Sequence, residues 1–315
     1  GGAFSCSFQA FVAGDAGDPD HRDTVSAAAT DDEGNRALAS GQATVSYRDV
    51  LPTGETTKTP SVGSVTEPGG TVTFFVTVAN TSVEPVTLIA LTDSAFGDLL
   101  DAGNPAVANN TCAAVPLAIP LGGTLDCSFD AFLSGDAGDP DHFNRVTATV
   151  ADDEGNPGSS SDEAGVAFAD SLPVITTAKT PSVGSVPEPG AAVEFAVSVA
   201  NGSVEPVTLT SLADSVFGDL LDAGNTAVSA NTCPAQPAVI PVGGAFSCSF
   251  SAFVGGDAGD PDHVNSLSAV VHDDEGNPGT AVAGARVGFA DVAPVIITAK
   301  TPSVGSVPEP GAAVE

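Results

Sequence analysis

The chain has 315 residues, 40 of them acidic and 8 basic, for a formal net charge of −32, and 42% are hydrophobic. So negative a surface repels nucleic acid and anionic membrane and attracts cations, while the apolar fraction excludes an acidic disordered tail. No apolar run approaches the roughly 20 residues of a membrane-spanning helix.

One motif recurs at a fixed spacing. Lys-Thr-Pro-Ser-Val-Gly-Ser-Val-x-Glu-Pro-Gly occupies 58–69, 179–190 and 300–311, with offsets 179 − 58 = 121 and 300 − 179 = 121. The intervening residues repeat with it, including Asp-Ala-Gly-Asp-Pro-Asp-His before His21, His142 and His263, and Asp-Glu-Gly-Asn from Asp32, Asp153 and Asp274. A period of this length is a whole small domain with its own core, unlike a solenoid repeat of a few tens of residues. The expected organisation is a partial repeat at 1–52, complete repeats at 53–173 and 174–294, and the start of another at 295–315. We read the chain as a window from a longer repetitive protein, the alternative being half-domains completed by neighbouring subunits.

In the second complete repeat, the β-branched run 174–180 predicts a first strand. Residues 181–190 form a loop stiffened by Pro181, Pro187 and Pro189. Residues 192–200 alternate, with Val193, Phe195, Val197 and Val199 on one face, which predicts a half-buried strand. A turn at 201–206 leads to a third strand at 207–212. The acidic loop 214–225 is anchored by Val216, Phe217, Leu220 and Leu221. A weak strand is expected over 233–240. Gly243 and Gly244 then turn the chain into 246–254, where Phe246, Cys248 and Phe250 point inward. A sixth strand at 264–272 and a seventh at 281–290 flank a turn at 273–279. Seven short strands without a helical period indicate an all-β, immunoglobulin-like sandwich. The links at 49–53 and 170–174 each hold a proline, so the tandem domains are expected to form a semi-rigid rod.

The cysteines follow the period. Cys112 with Cys127, and Cys233 with Cys248, form one pair per complete repeat, leaving Cys6 unmatched. Lacking CxxC or Cys/His spacing, each pair reads as a disulfide and not as zinc, the alternative being two buried thiols. Disulfides imply an oxidising compartment, and so an extracellular or cell-surface location.

The combination of Glu-Pro-Gly, Phe-x-Val-x-Val-x-Asn, Ser-Val-Glu-Pro-Val-Thr-Leu and Asp-Glu-Gly-Asn resembles the conserved repeat domains of unknown function in large bacterial cell-surface proteins. The resemblance covers every repeat. It implies an Ig-like sandwich and an extracellular, adhesive or stalk-like role, and it carries no catalytic residues.

If the strands alternate up and down, the loops after strands one, three and five share one end of a repeat. In the first complete repeat that end holds Glu67, Asp93, Asp98, Asp101, Asp136, Asp139 and Asp141, with Asp170 just beyond. The opposite end of the next repeat holds Glu205, Asp273, Asp274 and Glu275. Chain order sets these two ends against each other. Carboxylates at such density repel, and calcium, which takes six to eight oxygen ligands, resolves the repulsion. Calcium at each junction is therefore expected. The alternative is a solvated acidic surface. No segment has EF-hand spacing, so any site is assembled from loops.

Lys58, Lys179 and Lys300 are the only lysines, one per repeat at one place. A lysine in the first strand of an Ig-like surface domain can form an isopeptide bond with an Asn or Asp of a late strand, given an apolar pocket and a carboxylic acid. Strand seven offers no obvious Asn, so an ordinary ion pair is expected. His21, His142 and His263 are expected to pack loops rather than bind metal. Asn80-Thr-Ser and Asn201-Gly-Ser fit the glycosylation sequon. No Ser/His/Asp order, phosphate loop or isolated acid/base couple stands out, so enzymatic activity is not expected. The functional expectation is a structural segment of an extracellular filament or stalk, partnered by neighbouring repeats and copies of the same chain. The second reading is a calcium-dependent adhesin whose binding domain lies elsewhere.

Overall fold

The structure, a computed structural model, describes residues 2–234 and 238–315. The chain divides into two compact units, Gly1–Asp170 and Ser171–Glu315. The first contains β1 (His21–Thr30), β2 (Arg36–Val45), β3 (Gly54–Pro60), β4 (Ser64–Thr66), β5 (Gly69–Asn80), β6 (Val86–Asp93), β7 (Gly97–Asp98), β8 (Ala118–Ile119), β9 (Thr124–Ser134), β10 (His142–Ala151) and β11 (Pro157–Ala169). The second contains β12 (Ile175–Pro181), β13 (Ser185–Pro187), β14 (Gly190–Asn201), β15 (Val207–Asp214), β16 (Gly218–Asp219), β17 (Ala238–Ile240), β18 (Ala245–Gly255), β19 (His263–His272) and β20 (Pro278–Ala290).

In the first unit, β3, β5 and β9 form one antiparallel sheet. The facing sheet runs β4-β11-β10-β6-β7, with β8 also on β6. Only β4 on β11 is parallel. Period-two alternation builds the core between the sheets. Val72, Phe74, Val76 and Val78 of β5 and Phe129 of β9 are buried against Leu88, Leu91, Val146 and Val150. The second unit repeats this plan, with β12-β14-β18 facing β13-β20-β19-β15-β16. Val193, Phe195, Val197 and Val199 face its core, as their alternation predicts. The all-β sandwich reading therefore holds for each complete set of strands.

The differences lie in the loops. Residues 64–66 and 185–187, expected within loops, pair in parallel with the last strand of their own unit. Of the four loop anchors, Phe217 and Leu220 are buried and Leu221 is half-buried, but Val216 is exposed. Phe250 is buried while Phe246 and Cys248 are half-buried. The weak strand expected over 233–240 is seen at Ala238–Ile240, and positions 235–237 lie outside the described residues.

The Glu-Pro-Gly motif has a steric cause. Gly69 has φ +131°, and a Cβ there would lie 2.0 Å from the Leu133 carbonyl oxygen. Only glycine combines that backbone with so close an approach, and Gly190 repeats it against Val254.

Candidate metal centre and buried polar sites

Register fixes the ends of the sandwich. Gly69 pairs with Ser134 while Ala79 pairs with Thr124, so the 80–86 turn and the 119–124 turn share one end. Asn80 locks that end, its Nδ2 donating to the carbonyls of Glu84 (2.8 Å), Ile119 (3.1 Å) and Pro120 (3.2 Å). Both sequon asparagines, Asn80 and Asn201, are buried with the side-chain nitrogen committed to backbone carbonyls, so neither is presented for glycosylation in the folded chain.

The β10–β11 hairpin brings its tip to the same end. Asp152 Oδ1 accepts the Asn156 N–H at 2.7 Å, and Gly155 closes the turn at φ +87°. Asp153 and Glu154 are thereby held at the surface, beside Glu84. The partial repeat at the start of the chain supplies two more acids from the same unit. Asp15 opens the Asp-Ala-Gly-Asp turn, its Oδ1 accepting the Ala16 N–H at 2.9 Å. Asp49 accepts Asn156 Nδ2 at 3.0 Å.

Two overlapping sets of carboxylates result. Asp15, Glu84, Asp153 and Glu154 each offer an oxygen within 4.8 Å of the others, and so do Asp49, Glu84, Asp152 and Glu154. A cleft of about 330 Å³ adjoins them, lined by Asp15, Asp49 and Glu84, with Arg48 the one basic side chain in its wall. Burial, then the charges of Asp15, Glu154 and Asp153, push Glu84 up to about 7. Desolvation likewise raises Glu154. The donors are all carboxylate oxygens, which is the ligand type that calcium takes.

The six residues of these sets are offset by one period from Asp136, Asp170, Glu205, Asp273, Asp274 and Glu275. Most of the other expected ligands make local hydrogen bonds. Glu67 is buried and its Oε2 accepts the Ala137 N–H, tying two loops together. Its counterpart Glu188 accepts from Ala258 and Val292, and these bonds lower its pKa. Asp98 and Asp101 accept from Leu100 and Gly103 in short turns. Asp139 accepts the Asp136 N–H at 3.3 Å, and Asp141 is exposed. In the second unit, Asp273 accepts the Asn277 N–H at 2.6 Å, with Asp274 and Glu275 at the hairpin tip.

Asp93 corrects the sequence reading. It lies in the core and not among the loop carboxylates, paired with Lys58 Nζ at 2.6 Å, both side chains fully buried. Lys179 pairs with Asp214 in the same way. Inward parity placed both groups: Thr56 and Lys58 alternate inward on β3, and Leu91 and Asp93 on β6. Asn144 on β10 donates to both oxygens of Asp93, at 2.7 and 2.9 Å. The Lys58 ammonium lies 4.4 Å from the Phe74 ring centre. Burial lowers the Lys58 pKa, opposed by its hydrogen bond to Asp93. The ion pair is the one the sequence favoured, but Asn144 and Asn265 went unnoticed because they lie on the sixth strand of their repeats and not the seventh.

The disulfides Cys112–Cys127 and Cys233–Cys248 are both formed, and Cys6 is a free, exposed thiol. His142 and His263 stack on Phe96 and Phe217 at 5.7 and 5.6 Å, and burial holds both below the usual imidazole range. Loop packing is their structural role.

No protein-family model matches the chain, and no curated protein matches it. Solved structures similar to it include a protein of unknown function from Porphyromonas gingivalis W83, at 12% identity and TM-score 0.23, covering 72% of this chain and 98% of that one. A 1.5-MDa bacterial ice-binding adhesin is similar at 15% identity and TM-score 0.28, covering 87% of this chain and 76% of that one. A Ca2+-stabilised adhesin of an Antarctic bacterium is similar at 15% identity and TM-score 0.24, covering 85% of this chain and 57% of that one. Likeness at this level carries no functional argument, and the assignment as a β-sandwich rests on the strand pairing.

Proposed function

We propose that the chain is a structural segment of an extracellular or cell-surface stalk or filament, made of tandem β-sandwich repeats and stiffened by calcium. One observation supports this most. The closed core, the disulfide and the buried Lys–Asp pair each recur at the same 121-residue offset. A ligand-binding site is needed once, whereas resistance to load is needed in every repeat. The partners in this reading are neighbouring repeats and other copies of the chain, and it includes no catalytic step.

Calcium would be held by Asp15, Asp49, Glu84, Asp152, Asp153 and Glu154, with carbonyls and water completing the shell. The ion would neutralise the carboxylate repulsion that adds to burial in pushing Glu84 up, and would join the partial repeat to the next sandwich. Calorimetric titration of the full chain tests this. Heat of binding is expected, with a melting temperature that rises with calcium and falls back with chelator. At free calcium near 100 times Kd the gain is about 2.7 kcal/mol. No heat and an unchanged melt would remove calcium from the account and leave a solvated acidic surface.

A further inference from the structure

We infer that each complete sandwich is cross-linked by an amide bond between its buried lysine and asparagine, Lys58 to Asn144 and Lys179 to Asn265, with Asp93 and Asp214 as the catalytic acids. The inference goes beyond the stalk reading and is independent of calcium.

Three polar side chains meet in a largely apolar core, twice, with His142 and His263 close to them. Lys58, Asp93 and Asn144 are 4%, 4% and 2% exposed, and Lys179, Asp214 and Asn265 are 6%, 4% and 2% exposed. Lys58 Nζ and Asn144 Nδ2 both contact Asp93 Oδ2, at 2.6 and 2.9 Å. In the second repeat Asn265 Nδ2 lies 3.1 Å from each Asp214 oxygen, and Lys179 Nζ also contacts Oδ2. One carboxylate oxygen thus brings the amine and the carboxamide together. Aromatic rings wall the amine. Phe74 and Phe129 lie 4.4 and 5.7 Å from Lys58 Nζ, and Phe195 and Phe250 lie 4.5 and 5.4 Å from Lys179 Nζ. Asn144 Oδ1 and Asn265 Oδ1 are buried without a hydrogen-bond partner among the described residues. A buried ion pair with an orphaned amide oxygen beside it is a poor device for stability alone, since such pairs roughly break even against apolar packing.

The arrangement suits a condensation. In a dry pocket the lysine proton passes to Asp93, which leaves a neutral amine and a carboxylic acid. Half a turn of the Asn144 amide about its last side-chain bond gives its oxygen the Asp93 O–H as a donor, which satisfies the orphan and polarises the carbonyl. Lys58 Nζ attacks Asn144 Cγ, and the Nζ–Cγ bond forms. The Cγ–Nδ2 bond then breaks, and the departing nitrogen takes one proton from the attacking Nζ and the proton held by Asp93. It leaves as ammonium, so the chain loses the mass of one ammonia, and Asp93 ends as a carboxylate. No oxidant, cofactor or second substrate enters, and the shared Asp93 oxygen holds the amine and the carboxamide in one pocket, where proximity offsets much of the barrier. The bond joins β3 of one sheet to β10 of the other, so tension entering at the first strand would bypass most of the repeat.

Intact-mass spectrometry of the full chain with its disulfides reduced tests this. The expected mass is lower than that of the sequence by two molecules of ammonia, with proteolysis yielding branched Lys58–Asn144 and Lys179–Asn265 peptides. A folded chain at the full sequence mass, or losses mapped to other residues, would overturn the inference. Asp93→Asn is expected to abolish the loss in the first repeat and keep it in the second, which serves as the folding control within the same chain. A two-ammonia loss that survives Asp93→Asn would refute the role of the acid. In Asn144→Asp, water leaves in place of ammonia, so the product should have the wild-type mass. A variant that keeps its unreacted mass would count against the mechanism.

Discussion

Reducing the disulfides should destabilise each sandwich by an amount set by the loop that each one closes. Cys112 and Cys127 are 15 residues apart, as are Cys233 and Cys248. A 15-residue loop corresponds to about 3 kcal/mol in the chain-entropy treatment. For a domain of this size 1 kcal/mol moves the melting temperature by about 4 °C, so a fall of roughly 10–15 °C is expected. Reduction is a cleaner perturbation than substitution. Cys112 and Cys127 are 1% and 8% exposed, and replacing them with alanine would add a cavity to the lost constraint. Calorimetric scans of the oxidised and reduced wild-type chain isolate the bridge. A shift below about 3 °C would refute the reasoning, because it would mean that the 112–127 segment is already confined in the unfolded chain or already loose in the folded one.

Glu84 carries a pH signature. Its folded pKa is raised from 4.5 to about 7, so between those values the folded chain holds a proton that the unfolded chain has released. This contribution is fully present below about pH 4.5 and is lost as pH rises through about 7. In chelator, stability should therefore fall over that window by more in the wild type than in Glu84→Gln, as read from melting temperatures across a pH series. Parallel curves would contradict the assignment. Asn80→Ala should cost about 2–3 kcal/mol in denaturant unfolding, because it strips donors from the carbonyls of Glu84, Ile119 and Pro120. A loss under about 0.5 kcal/mol would mean that water replaces the amide fully.

The parts of the fold that rest on alternation were legible. Val193 to Val199 and the β-branched first strands announce a half-buried sheet because the side-chain period is two and the core lies on one side. The disulfide pairs were legible from spacing, because no other cysteines compete within a repeat. The short parallel strands at 64–66 and 185–187 were not, since three residues between prolines and glycines carry no period. The acidic loop residues were legible in type, but their grouping was not, since it depends on how the hairpin tips and turns meet in space. Asp93 was misplaced because an aspartate next to an acidic loop looks like part of that loop. Its parity with Leu91 pointed inward, and only with Lys58 and Asn144 opposite does an inward carboxylate make sense.

The central claim is that these repeats form a stalk whose stiffness depends on calcium, and small-angle X-ray scattering of the full chain tests it most directly. In calcium the account predicts the profile of a single elongated, narrowly distributed particle, and in chelator a broader and shorter distribution of dimensions. A globular profile in calcium, or identical elongated profiles in both conditions, would contradict it.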